Sequence, residues 1–109
     1  MVSSPFKGMW LIAMFDLPMD TARRRKAYAR FRSSLLRDGF TRLQLSVYAR
    51  YCCSEEASVI HRKRIREALP AEGQVRVVLL TDHQFGKMEV YAGRKRGKPE
   101  RAPLQLELF

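Results

Sequence analysis

Asp16 closes an unbroken apolar run, Met9-Trp10-Leu11-Ile12-Ala13-Met14-Phe15, and is the first residue of the chain whose placement could serve chemistry. A run of that length and content reads as a strand buried on both faces. The acid therefore stands at the strand's carboxyl end, beside the start of a strongly basic segment, where a carboxylate can hold a metal ion or face a phosphate. One carboxylate is a sparse magnesium site, because that ion is held by one or two carboxylates together with waters and substrate phosphates. Two copies of Asp16 meeting across a dimer axis would supply the second, as one magnesium site shared by the pair. The structural alternative is a carboxylate that caps the loop or pairs with Arg23 or Arg24.

The segment that follows carries Arg23, Arg24, Arg25, Lys26, Arg30, Arg32 and Arg37, with Asp38 as a late acid. At about 100° per residue in a helix, Arg23, Lys26, Arg30 and Arg37 fall within a narrow arc. Such an arc is a phosphate-facing stripe, with Arg24 beside it as a further phosphate contact. The alternative is a solvated outer face, but solvated faces normally mix the two signs and this one does not.

Other candidates are weaker. His61 falls on the apolar side of a second helix with Ala57, Ile65 and Ala68, and reads as a partly buried structural histidine. His83 sits in a turn segment with no recognisable partner. Cys52 and Cys53 are adjacent, which supplies neither the spaced ligands of a zinc site nor a C-x-x-C redox motif, and they read as strand-end residues. The sequence holds no Ser or Cys nucleophile motif, no Gly-rich phosphate loop and no transition-metal cluster. It also lacks the aromatic signature of an RNA-recognition motif.

The elements that must position these residues can be read from punctuation and periodicity. Pro18 breaks the chain after the first strand, and a helix opens near Thr21 and runs to Gly39, with Tyr28, Phe31 and Leu35 as its buried stripe. Phe40 to Cys52 alternates, switching face near Ser46, and reads as one bent strand or two short ones. Ser54-Glu55-Glu56 is a cap followed by first-turn acids, opening a second helix that ends before Pro70 and Gly73. Gln74 to Thr81 is a strand, Asp82 to Gly86 reads as a turn, and Lys87 to Ala92 as a short edge strand. The order β-α-β-β-α-β, with two amphipathic helices on one sheet, is an α+β, ferredoxin-like sandwich over residues 1–92. Residues 93–109 form a basic linker and a strand-like tail, Pro103 to Phe109, whose alternation suits β-addition to another chain, or a loose tail in solution.

The chain of 109 residues carries 21 Lys and Arg against 11 Asp and Glu, a formal charge of +10. That excess points to a polyanionic partner, nucleic acid first. The apolar run is far short of the roughly 18–20 residues a membrane span needs, and no signal-peptide cleavage pattern follows it, so the expected setting is cytoplasmic, away from membranes. A small domain with 29% charged residues gains from covering an apolar face with a second copy, so a homodimer is expected.

The run Trp10 to Asp16, the Arg-rich helix, and the string G-F-x-x-x-Q-x-S-V-Y formed by Gly39-Phe40, Gln44 and Ser46-Val47-Tyr48 together resemble the CRISPR-associated Cas two (Cas2) family, over Met9 to about Ala92. Phe15-Asp16-Leu17-Pro18, the Arg23-Arg24-Arg25 run and Thr81-Asp82-His83-Gln84-Phe85 look like the version accompanying Cas nine (type II) systems. The resemblance implies a ferredoxin-like homodimer held between dimers of the Cas one integrase, where it helps hold double-stranded DNA to be captured as a new spacer. It further implies a metal-dependent endonuclease in some members, using the strand-end acid, here Asp16. Family members often have Tyr before that acid, whereas Phe15 here lacks the hydroxyl. A stand-alone toxin-type ribonuclease and a small transcriptional regulator of the same fold are the rival readings.

Overall fold

A computed structural model describes residues 8–93. Its elements are β1 (Met9–Asp16), α1 (Ala22–Arg37), β2 (Thr41–Gln44), β3 (Val47–Cys52), α2 (Glu55–Glu67), β4 (Gln74–Thr81) and α3 (Asp82–Gly86). The strands form a single sheet in the order β2-β3-β1-β4, with every neighbouring pair antiparallel. This is the ferredoxin-like arrangement the sequence implied, with β1 in the interior of the sheet.

Alternation along β1 divides the core in two. Leu11, Ala13 and Phe15 pack with Tyr28, Phe31 and Leu35 of α1 and Ile65 of α2, so both long helices cover the same face. Ile12 points the other way, into a smaller cluster with Ala49 and Phe85, against which Trp10, Met14, Val47 and Leu80 are packed.

Local chemistry sets the boundaries. Thr21 caps α1 by accepting the Arg24 amide at 3.1 Å, and Ser54 does the same for α2 with the Ala57 amide at 3.0 Å. At the far end of α1 the Gly39 amide donates to Leu36 O and the Phe40 amide to Leu35 O. Gly39, at φ 87°, supplies the left-handed residue this Schellman closure needs. Phe40 to Cys52 adopts the two-strand form: a hairpin whose turn contains Ser46 at φ 63°, with an irregularity between Arg42 and Gln44.

Two sequence expectations are corrected. Asp82 to Gly86 is a short helix rather than a turn, because Thr81 and Gln84 form a reciprocal capping box. Trp10 locks it down: its indole N–H donates to Asp82 Oδ1 at 2.8 Å, and its ring stacks on Phe85 at 4.2 Å. Lys87 to Ala92 forms no strand, so the extra edge strand is absent from the described residues. Phe85 fixes α3 on the sheet face, and the chain beyond leaves exposed, with Val90 and Tyr91 in solvent. The strand-like tail expected at Pro103 to Phe109 lies outside the described residues.

Candidate functional site

Asp16 ends β1 in register with Gln74 of β4, and is exposed. The parity that sends Leu11, Ala13 and Phe15 toward the helices places Asp16 on the Ile12–Met14 side of the sheet. Its position is held by backbone on two sides. The Phe15 amide donates to Ser46 O at 3.0 Å. On the other side Gly73, at φ 94°, passes so close that a Cβ there would meet Asp16 O at 2.6 Å. Among the described residues, no hydrogen bond or ion pair engages the Asp16 carboxylate, and no group of three His, Cys, Asp or Glu stands together as a metal cluster.

The loop-capping alternative with Arg24 is not what the chain builds. Arg24 donates to both Asp20 oxygens at 2.9 and 3.0 Å and to both Glu72 oxygens at 3.0 and 2.8 Å. These hydrogen bonds hold the Asp20 and Glu72 carboxyls below their ordinary range and push the guanidinium above its own. Arg24 therefore ties the start of α1 to the loop that carries Gly73. It is the member of the expected phosphate-contact set already paired within the chain.

Arg23, Lys26, Arg30 and Arg37 are all exposed, and no ion pair holds any of them among the described residues. They lie on the outer side of α1, away from the stripe that Tyr28, Phe31 and Leu35 bury. The sequence placed Asp16 beside the basic helix. Asp16 does end β1 close to the start of α1, but the side chains take different faces: the cationic stripe lies on the outer side of the helix layer, while strand parity turns the acid toward the face the long helices leave open.

The family-specific string is structural: its residues close α1, fill the core and shape the β2–β3 turn. Gly39 closes α1, Phe40 is buried, and Ser46 shares a hydrogen bond with Tyr28 at 2.9 Å. Tyr48 is 1% exposed, and its hydroxyl accepts from Arg32 Nε at 2.9 Å. Sequence reasoning missed the Asp38 junction. The Asp38 carboxylate lies 2.8 Å from His61 Nδ1 and 2.5 Å from Arg64 Nη1, and its carbonyl accepts from Arg50 at 2.7 Å. His61 is the buried structural histidine expected, at 8% exposure.

Among the described residues, no helix is long and apolar enough to cross a membrane. The family model described as CRISPR associated protein Cas2 matches residues 9–88. A CRISPR-associated endoribonuclease Cas2 of Parvibaculum lavamentivorans is 55% identical over 93% of this chain and 100% of its own length. That of Flavobacterium psychrophilum is 43% identical over 95% of this chain and 90% of its own. A solved structure titled "Crystal structure of cas2" superposes with a TM-score of 0.58 at 13% identity, covering 86% of this chain and 95% of that one, which is a likeness of fold. The strand-end acid, the basic helix and the scaffold string thus sit within a span matched across nearly the whole described chain, and this protein belongs to the CRISPR-associated Cas2 family.

Proposed function

We propose that this chain is a CRISPR adaptation protein: a homodimeric scaffold that binds double-stranded DNA without reading its sequence and presents it to the Cas one integrase during spacer acquisition. The observation that carries the reading is the separation of surfaces. Met14 and Val47 are partly buried, and Val78 and Tyr51 are 40% and 46% exposed, on the sheet face that the long helices leave uncovered. A second copy packed there would cover apolar area and leave both basic helix layers outward, each with Arg23, Lys26, Arg30 and Arg37 free for phosphates. A neutral solvated helix face would not concentrate that many unpaired cations on one arc.

A second reading, favoured by the relatives' designation as endoribonucleases, makes Asp16 catalytic. Asp16 lies at the end of the same uncovered face, so packing of two copies there brings one carboxylate from each toward the shared interface. Such a pair fits magnesium by the chemistry of its donors, although a single chain does not. Bound there, the ion would neutralise charge on a scissile phosphate and lower the pKa of an attacking water. Asp16 itself would hold and orient, and Phe15 has no hydroxyl to assist.

The test is duplex binding followed across a salt series, together with an integration assay containing the neighbouring integrase. The scaffold reading expects steeply salt-dependent, sequence-independent binding and a dimeric mass by light scattering. A clean monomer at micromolar concentration, or a marked preference for one DNA sequence, overturns it.

A further inference from the structure

Between the start of α1 and the loop after α2 lies a cleft of about 420 Å³ whose walls include Ala27, Ala68, Leu69, Arg23, Arg30 and Glu72. That volume falls in the roughly 300–1,000 Å³ range of clefts that bury ligands. Its floor is apolar, and Leu69 is 50% exposed at its edge. Arg23 and Arg30 stand two helical turns apart, about 10.5 Å of rise. Neither makes an ion pair among the described residues, whereas Arg24 between them is clamped by Asp20 and Glu72.

We propose that this cleft is a docking site for a protein partner, recognised through an acidic segment that bears a large apolar side chain. Charge complementarity selects the acids, since two unpaired guanidiniums flank the opening. The floor selects the apolar residue, because Ala27, Ala68 and Leu69 offer a phosphodiester backbone nothing. An acidic peptide would meet Arg23 and Arg30 and place its apolar side chain over Leu69. The site shares Arg23 and Arg30 with the phosphate-facing stripe, so peptide and duplex would compete for these two residues, while Leu69 belongs to the cleft alone.

The experiment is fluorescence anisotropy with the full chain and a labelled synthetic peptide of alternating glutamate and leucine ending in phenylalanine, with the lysine-for-glutamate peptide as control. Saturable binding of the acidic peptide alone is expected. Leu69→Gln should weaken it about tenfold, the loss of one well-packed apolar contact. Arg23→Ala and Arg30→Ala should each weaken it by roughly three- to tenfold. Arg37→Ala, outside this cleft, should leave it within about twofold. Leu69 is half exposed, so the Gln variant keeps the fold, and its affinity for duplex DNA should be unchanged. Absence of saturable binding, equal binding of the lysine peptide, an equal loss in Arg37→Ala, or a matching loss of duplex affinity in Leu69→Gln would each overturn the proposal; the last would assign the cleft to nucleic acid.

Discussion

His61 Nδ1 lies 2.8 Å from Asp38 Oδ2, and the two side chains are each only 10% exposed. Asp38 is the C-cap of α1 and His61 the buried middle of α2, so this contact fastens the two long helices together. Arg64 completes it at 2.5 Å from the other carboxylate oxygen. Removing the acid leaves a buried ring nitrogen without its acceptor, which costs about 1–3 kcal/mol. Asp38→Ala should therefore lower the unfolding free energy by that amount, read as a lower urea midpoint at an unchanged slope of the transition. His61→Ala should cost about the same, and the double variant less than the sum of the two.

Gly73 carries a second structural prediction. Its φ of 94° and the 2.6 Å approach of a built Cβ to Asp16 O leave no room for a side chain. Gly73→Ala should destabilise by about 1–3 kcal/mol and shift the end of β1. Thermal melts measure the first effect. Amide exchange at Phe15 and Asp16 measures the second, expected as faster exchange confined to this strand end. A melt unchanged from wild type would show that the close approach is not needed.

Much of this geometry was legible because it rests on local chemistry. Thr21, Ser54 and Gly39 are cap residues whose meaning is contained in a few neighbours, and β4 emerges with the bounds its Val and Leu content implies. The capping box Thr81-x-x-Gln84 was equally local, and reading the segment as a turn overlooked it. What sequence could not supply was partner choice at long range. Arg24 meets Glu72 across 48 positions, and nothing in the Arg23-Arg24-Arg25 run marks the middle one as paired. The side of the sheet on which Asp16 falls likewise follows from which parity of β1 meets the helices, a fact of packing.

The Arg24 clamp makes a pH prediction. Asp20 and Glu72 have carboxyls held below their ordinary values of 3.8 and 4.5, chiefly by hydrogen bonds from Arg24. A depressed folded-state pKa contributes stability that is present above the unfolded value and lost as pH falls through the folded one. The wild-type midpoint should thus decline as pH drops below about 4.5, and Arg24→Gln should show a shallower decline over that window. At neutral pH the variant should bind duplex DNA almost as wild type does, because Arg24 is already paired. A loss of duplex affinity as large as that of Arg30→Ala would show the guanidinium leaving its carboxylates for phosphate.

The last prediction sets Asp16 against the basic stripe, which the fold places on opposite faces of the sheet. Each phosphate neutralised contributes about −0.9 to the slope of log affinity against log salt. Single replacements of Arg23, Lys26, Arg30 or Arg37 by Ala should flatten that slope by up to about one, whatever the DNA sequence. Asp16→Asn is nearly isosteric and removes a charge from an exposed strand end with no partner among the described residues, so it should leave both the slope and the fold unchanged. Under the scaffold reading spacer integration then survives in Asp16→Asn and fails in the combined Arg23, Arg30 and Arg37 variant. Under the enzymatic reading Asp16→Asn abolishes magnesium-dependent cleavage while duplex affinity stays intact. Loss of integration in Asp16→Asn, with dimer mass and duplex affinity preserved, would show that the carboxylate does more than end a strand.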